Sequence, residues 1–326
     1  MKTQRVVFPE RDRCELEEAE LDERLGPGEV LVRNTHSLIS PGTELAMFTG
    51  SHRSIGDPTQ PYFQYPFRPG YAALGEVVAT NGSTYLKPEM RVLNSGWHTT
   101  FVKAKAEALF PVPAGMGSER AVFYRLVQIA LTAQRLVPPR IGEQALVIGM
   151  GLVGNLCAQL LAQSGAGRIA CADVSEARLE RARSCGLIET YQTRERPLVE
   201  CIKSFGERGA ELVIEASGTA GGITDALKCA APRGLVVLLG SPRAKMEFDP
   251  YADIHRKGVA LIGAHESLVD GATRRKDAPM LLEWLRSGKL QVDALVTHRL
   301  PFTQAYDAYR GLRDQPDEFM GVVLNY

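Results

Sequence analysis

The chain has 326 residues, of which 44% are hydrophobic and 23% charged, and its basic and acidic side chains balance. This length allows two domains with cores of their own. The zero net charge, without a long basic run, argues against nucleic acid as a partner, and no apolar run approaches the ~20 residues that span a bilayer. The six cysteines lack the close spacing of a zinc knuckle. With no signal-peptide pattern, we expect a cytoplasmic protein without a membrane partner.

The chain is predicted to change character twice along its length. Residues 1–120 are expected to be rich in β-strands, since short alternating runs lie between Gly/Pro turns. These runs begin at Glu29, Gly75, Arg91 and Thr100. Residues 121–263 alternate strands with helices, which predicts a doubly wound parallel sheet covered on both faces. Residues 264–326 hold two helix patterns and a closing strand. We therefore expect an α/β protein.

A glycine-rich turn in the middle region is typical of a dinucleotide-binding site. An apolar run leads into Gly149-x-Gly151-x-x-Gly154. The first glycine would turn the chain out of a strand, the second would admit a pyrophosphate close to the backbone, and the third would let a helix pack against the sheet. That helix begins at Leu152 and Val153 and would present its N-terminal N–H groups to the phosphates.

Asp173 favours NAD(H) over NADP(H). It ends the next apolar run and would accept the adenine ribose hydroxyls, whereas it would repel a 2′-phosphate. Arg178, about one helical turn beyond, is the counter-argument because it could reach such a phosphate. Ser217 and Gly240 follow the later apolar runs and complete the predicted cofactor contacts. The predicted cofactor is NAD(H).

Three stretches outside the glycine turn carry a family resemblance. They begin at Pro69 (PGYAALGEV), Gly96 (GWHTTFV) and Thr297 (THRLPF). Together with the domain order, they resemble the medium-chain dehydrogenase/reductase superfamily over essentially the whole chain. The resemblance implies a GroES-like domain with a Rossmann domain inserted in it. With the sheet edge expected at Val259–Ile262, it also implies a homodimer.

The positions that bind catalytic zinc in relatives are occupied differently here. This sequence has Ser40, Tyr71 followed by Ala72, and Arg125 beside Tyr124 in the corresponding stretches, and the four-cysteine lobe of zinc relatives is absent. Zinc needs three or four thiolate, imidazole or carboxylate ligands. We therefore predict no metal. The chain most resembles a zinc-independent branch, the bacteriochlorophyllide-dehydrogenase-like alcohol dehydrogenases, which oxidise a secondary hydroxyl to a ketone with NAD.

Without zinc, side chains would have to carry the alcohol proton. Tyr71 could hydrogen-bond the substrate oxygen, and His98 is of a type that exchanges protons near neutral pH. By resemblance, Thr43 matches a hydroxyl that relays protons, and Glu44 matches an acid that orients its neighbours. Structural alternatives stay open for each: a packed tyrosine, a loop histidine bonded to backbone, or a turn hydroxyl.

The predicted substrate pocket adds residues from several places. It comprises Ser40, Tyr62, Phe63, Tyr124, Arg125 and His265. Tyr62 and Phe63 belong to a loop, residues 58–69, whose prolines exclude a regular helix or strand. The alternative is that this loop covers the β-rich core or an oligomer interface. His265 follows the last Rossmann strand, which the resemblance places beside the nicotinamide, and the alternative is a surface histidine.

The sequence thus predicts an NAD(H)-dependent, zinc-independent oxidoreductase. It would interconvert a secondary alcohol, such as a sugar, polyol or cyclic alcohol, and its ketone. Two other functions stay open. One is an NAD(P)H-dependent reductase of activated C=C bonds, as in quinone or enone reductases. The other is an NAD-binding regulator without turnover.

Overall fold

The computed structural model describes residues 1–83, 85–206 and 208–326. Its chain forms two compact units, one of Met1–Arg125 with Ala278–Tyr326 and one of Leu126–Asp277. Both boundaries fall inside α-helices and lie five and fourteen residues beyond the expected boundaries at 120 and 263.

Most of the predicted elements form, with bounds shifted by a few residues. In the described ranges the strands are β1 (Lys2–Val7), β2 (Glu15–Glu20), β3 (Glu29–Leu38), β4 (Ala73–Thr80), β5 (Arg91–Asn94), β6 (Phe101–Lys105), β7 (Phe110–Pro111), β8 (Gln144–Ile148), β9 (Arg168–Asp173), β10 (Thr190–Gln192), β11 (Ala210–Glu215), β12 (Ala230–Leu238), β13 (Ala260–Gly263), β14 (Val296–Pro301) and β15 (Gly321–Asn325). The α-helices there are α1 (Thr43–Phe48), α2 (Ser118–Val122), α3 (Tyr124–Leu136), α4 (Leu152–Gln163), α5 (Glu176–Ser184), α6 (Leu198–Cys201), α7 (Ala220–Cys229), α8 (Gly271–Arg286) and α9 (Ala305–Asp314).

The first unit is built on a sheet that both ends of the chain share. Its strand order is β14-β15-β3-β4-β5-β7, and β6 also pairs with β3. Strand β15 is antiparallel to β3, with Val323 opposite Leu38. The separate pair β1–β2 is also antiparallel. The β-rich first domain and the return of the chain to it are therefore both present.

An aromatic cluster fills the core of the first unit. Phe8 meets Tyr309 edge-on at 4.8 Å between ring centroids, and Phe48 stacks on Tyr309 at 5.6 Å. Phe67 and Ile39 are buried in the same cluster. Aromatic pairs of this geometry stabilise a fold beyond their area of burial. The cluster anchors α1 and α9, which carry two of the polar side chains described below.

The second unit is a six-stranded sheet in which every described pair is parallel, in the order β10-β9-β8-β11-β12-β13. This is the strand order of the Rossmann fold. The predicted α/β architecture with a doubly wound parallel sheet is confirmed. Strand β13 forms one edge, and Leu261 on it is 38% exposed.

Candidate functional site

The glycine turn of the second unit combines close packing with open space. Gly149 has a φ of +95°, and a Cβ there would lie 2.7 Å from the Ser217 nitrogen. A Cβ on Gly154 would lie 1.8 Å from the Gly149 carbonyl oxygen, so α4 touches the turn at this point. At Gly151, by contrast, no described atom lies within 4 Å of the Cβ position. The turn is therefore tight at both ends and open in the middle.

The first turn of α4 faces this open position. Its N-cap is Gly151, which has no side chain that could hydrogen-bond to the first N–H groups of the helix. Leu152 and Val153 follow as the first helical residues. Exposed N–H groups and the helix dipole make such a terminus suitable for a phosphate.

Asp173 ends β9 beside this turn. One carboxylate oxygen accepts the Met150 N–H at 2.6 Å and the other accepts the Ser175 N–H at 2.8 Å. A carboxylate has about four acceptor positions, so each oxygen can still accept a ribose hydroxyl. Arg178 lies 3.9 Å from one of these oxygens. The residues present therefore fit a dinucleotide.

Glu215 is a buried acid that the sequence reasoning missed. It ends β11 and accepts the backbone N–H groups of Ser217, at 2.8 Å, and of Gly218, at 3.1 Å. Burial raises the pKa of its carboxyl. A Cβ on Gly240 would lie 2.5 Å from the Gly218 nitrogen, so Gly240 packs against the turn that Glu215 holds. The sequence signal for Glu215 was its position at the end of an apolar run, directly before Ala-Ser-Gly.

In the first unit, Tyr71 is, with Thr43, one of the two predicted proton-handling residues that are not fully buried. It is half-buried, its hydroxyl donates to the Ser40 hydroxyl oxygen, and the Thr43 side chain also hydrogen-bonds to it. The Arg125 guanidinium carbon lies 5.8 Å from the centroid of its ring. Burial, and then the charge of Glu44, raise the pKa of the phenol. Tyr71 is thus a hydrogen-bond donor at neutral pH.

Glu44 and His98 form a second, fully buried pair. His98 Nε2 lies 2.9 Å from Glu44 Oε2, and His98 Nδ1 lies 2.7 Å from the Ser37 hydroxyl. Glu44 Oε1 accepts the Ser40 N–H at 3.1 Å. The two side chains are 0% and 1% exposed. This differs from the expectation that His98 exchanges protons with a substrate, because both ring nitrogens are already bonded inside the core.

Tyr309 is a third buried side chain that bonds to this pair, and it was not predicted from the sequence as a site residue. Its hydroxyl donates to Glu44 Oε2 at 2.6 Å. Ser37, which bonds to His98, also bonds to the hydroxyl of Tyr326 at 3.0 Å. Tyr309 and Glu44 are 265 residues apart in the chain. No local pattern joins residues so far apart.

The aromatic loop packs mostly onto the core of the first unit. Phe67 is buried, Phe63 stacks on His52 at 4.1 Å between centroids, and the Tyr65 hydroxyl donates to the Met47 carbonyl. Tyr62 is 50% exposed. This placement corresponds to the structural alternative in which the loop covers the core.

The two remaining candidates lie in different surroundings. Tyr124 is buried, with its ring 5.1 Å from that of Phe110. His265 is exposed, and its Nδ1 lies 2.7 Å from the Ser267 hydroxyl, so it caps the short helix that follows.

Within residues 1–83, 85–206 and 208–326, no group of three or more His, Cys, Asp or Glu side chains could hold a metal ion. In the same ranges, no helix is both long and apolar enough to cross a membrane.

Comparison with known proteins agrees with this architecture. Residues 153–287 match the zinc-binding dehydrogenase family. A 2-desacetyl-2-hydroxyethyl bacteriochlorophyllide A dehydrogenase of Cereibacter sphaeroides is 28% identical over 97% of this chain and 96% of its own length. D-xylulose reductase of Saccharomyces cerevisiae is 23% identical over 68% of this chain. The alignments with this reductase and with alcohol dehydrogenase-like 6 of Arabidopsis thaliana cover 62% and 45% of those relatives.

Solved structures with the same fold cover the whole chain. Galactitol-1-phosphate dehydrogenase of Escherichia coli superposes with a TM-score of 0.83 at 20% identity, covering 99% of this chain and 100% of its own. An Escherichia coli oxidoreductase of unknown specificity reaches a TM-score of 0.86 at 19% identity, covering 100% and 99% of the two chains. The protein has a GroES-like unit and a Rossmann unit. Its residues 153–287 are similar to the zinc-binding dehydrogenase family, and its fold is the one that these solved dehydrogenases share.

Proposed function

We propose that the protein is an NAD(H)-dependent oxidoreductase that interconverts a secondary alcohol and its ketone without a catalytic metal. The observation that carries this proposal is the glycine turn, which is open at Gly151 and has the Asp173 carboxylate oriented beside it by the Met150 N–H. When bound there, the nicotinamide nucleotide would supply the hydride chemistry. The chain would supply binding, orientation and the movement of one proton.

The Rossmann unit would select NAD(H) through charge. Asp173 lies buried with both oxygens held by backbone N–H groups, so its carboxylate cannot easily turn away from a bound ribose. A 2′-phosphate would meet this charge at close range, and like-charge apposition in an interface costs several kcal/mol. Arg178, 3.9 Å from an Asp173 oxygen, would attract the 2′-phosphate and so reduce this preference in part. We therefore expect a preference for NAD(H) of roughly a hundredfold, at about 1.4 kcal/mol per decade.

The GroES-like unit would handle the alcohol proton through Tyr71. Reduction of a ketone by hydride leaves an alkoxide, which a hydrogen-bond donor must stabilise. The raised pKa of Tyr71 keeps its phenol protonated and able to donate. Ser40 and Thr43 hydrogen-bond to the phenol and would relay its proton.

The proposed independence from zinc rests on the same residues. By the family resemblance of the sequence, Ser40 and Tyr71 occupy positions where zinc relatives carry ligands. The Arg125 guanidinium carbon lies 5.8 Å from the centroid of the Tyr71 ring. A fixed cation repels a second cation, and neutral hydroxyls are poor zinc ligands. Glu44 and His98 have suitable ligand atoms, but these are hydrogen-bonded to each other.

The likeness to polyol and sugar-alcohol enzymes favours hydroxylated substrates. D-xylulose reductase and galactitol-1-phosphate dehydrogenase are among the similar proteins. We propose a sugar, polyol or cyclic secondary alcohol as the substrate class.

We also propose that the protein works as a homodimer in the cytoplasm.

An assay of NADH absorbance would test this function. The protein would be tested with NAD and secondary alcohols, and with NADH or NADPH and ketones, enones and quinones. We expect turnover with alcohols and ketones and a preference for NAD(H), which Asp173→Ser should narrow. Turnover with enones or quinones alone would support a C=C reductase. Binding of NADH without any turnover would support a regulator.

A further inference from the structure

A chain of buried hydrogen bonds crosses the core of the first unit. The Thr99 backbone hydrogen-bonds to the Tyr326 hydroxyl. Tyr326 lies 3.0 Å from the Ser37 hydroxyl, which lies 2.7 Å from His98 Nδ1. His98 Nε2 then reaches Glu44 Oε2 at 2.9 Å. Five groups, from residues 37–44, 98–99 and 326, thus form one continuous path.

The hydrogen bonds of this path favour one proton order, that is, one choice of which atom in each bond carries the proton. The backbone N–H of Thr99 can only donate, which leaves the Tyr326 proton available to the Ser37 oxygen 3.0 Å away. Ser37 then donates to His98 Nδ1, which leaves the His98 proton on Nε2, directed at Glu44. An ionised carboxylate can only accept. In this order every hydrogen bond of the path is made with a neutral His98 and an ionised Glu44.

Tyr309 reinforces this arrangement from helix α9. Its hydroxyl donates to the same Glu44 oxygen at 2.6 Å, while its ring is fixed between Phe8 and Phe48. A buried carboxylate stays ionised only when several donors replace its lost hydration. Glu44 has three: His98 Nε2, the Tyr309 hydroxyl and the Ser40 N–H.

The buried pair is connected to Tyr71 on two sides. Ser40 donates its N–H to Glu44 and accepts the Tyr71 hydroxyl on its Oγ. On the other side, the His98 N–H donates to the Pro69 carbonyl at 2.9 Å. Gly70 has a φ of +106°, and a Cβ there would lie 2.3 Å from the His98 nitrogen. The loop that carries Tyr71 is therefore packed directly on His98.

We infer that His98 and Tyr309 are positioning residues: they hold the buried Glu44 carboxylate ionised and in place, and Glu44 in turn holds the Ser40 turn that orients the Tyr71 hydroxyl. The catalytic consequence rests on the proposed function, whereas the proton order does not. The titratable groups that face Glu44 are His98, Tyr309, Tyr71 and Tyr326.

Nitrogen NMR of the histidine rings tests the proton order without an activity assay. In the wild-type protein at neutral pH we expect His98 as the neutral Nε2–H tautomer. Tyr326→Phe keeps the ring and breaks the path at its far end, so His98 should become a mixture of tautomers. A protonated or Nδ1–H His98 in the wild type at neutral pH would overturn the inference.

Tyr309→Phe tests the hold on Glu44, with Tyr306→Phe on the same helix as its matched control. The Tyr306 ring is 44% exposed. Losing one donor should weaken the hold on the ionised Glu44 carboxylate, since hydrogen bonds to a charged group are among the stronger ones. The acid limb of kcat/KM should therefore move to higher pH in Tyr309→Phe and not in Tyr306→Phe. Cofactor binding should not change.

The His98 ring signals should also shift in Tyr309→Phe and not in Tyr306→Phe. Identical NMR spectra and identical pH profiles for the two variants would contradict the positioning role. If the wild-type protein turns over no substrate, the proposed function fails, and the NMR comparison alone decides this inference.

Discussion

Tyr71 is half-buried, and its hydroxyl donates a hydrogen bond to Ser40 Oγ. We predict that Tyr71→Phe, which removes only this hydroxyl, lowers kcat by about 10²–10⁴-fold, the usual contribution of general acid–base assistance. The dissociation constant of NADH should stay unchanged. The exposed tyrosine variant Tyr306→Phe is the control. If Tyr71→Phe keeps more than about a third of kcat, the proton donor lies elsewhere, since that loss is well below the expected factor.

The sequence predicts the position of the glycine turn better than it predicts the hydrogen-bond partners of the polar residues in the first unit. Gly149, Gly154 and Asp173 lie within one short stretch, so their spacing alone indicates what each must do. Tyr309 could not be found in this way, because it meets Glu44 across 265 residues. For His98, the residue type suggested proton exchange, but its burial and its two partners depend on the tertiary fold.

At the scale of elements, the glycine turn offers a matched pair of substitutions. Gly151→Ala adds a methyl group where no described atom lies within 4 Å, so the free energy of unfolding should hold, while NADH binding should weaken at least about tenfold. Gly154→Ala would place a methyl group 1.8 Å from the Gly149 oxygen. It should destabilise the protein by about 1–3 kcal/mol or more, as overpacking does. Calorimetry and NADH titration measure both effects. Equal losses of stability would contradict the assigned roles.

Strand β13 forms an edge of the Rossmann sheet with Leu261 partly exposed. Exposed edges of this kind are usually covered or paired, and a two-fold dimer is the commonest closure. We predict a dimer mass by light scattering at micromolar concentration, with Leu261→Lys shifting the protein toward monomer. Ile188→Lys, at a residue 83% exposed elsewhere in the unit, should have no effect. A wild-type monomer would contradict the homodimer.

Elements with a clear apolar pattern were predictable and charged ones were not. Strands β8, β9 and β11 and helix α4 form close to where the apolar pattern predicts them. Strand β2, with the sequence ELEEAE, has no such pattern and exists through its pairing with β1. Helix α8 begins at Gly271, where Asp270 accepts the Thr273 N–H and caps the helix ahead of its charged stretch from Arg274 to Asp277.

At the scale of the whole molecule, buried tyrosines predict a loss of stability in alkali. Burial, and then the charge of Glu44, raise the pKa of Tyr309 well above its ordinary value. The unfolded chain therefore loses this proton first, above about pH 10, and beyond that point it binds fewer protons than the folded state. The stabilising contribution is complete below about pH 10 and is lost as the pH rises above it. Urea unfolding on both sides of this pH should show the loss, and Tyr309→Phe should reduce it.

The central claim is that this chain moves a hydride between NAD and a secondary alcohol with side chains in place of zinc. The most direct test is the rate of NADH formation by chelator-treated protein, over a panel of polyols, sugars and cyclic alcohols. We predict turnover with at least one secondary alcohol, at the same rate before and after chelation. Turnover that chelation abolishes and added Zn²⁺ restores would contradict the claim, and so would its absence with every alcohol in the panel.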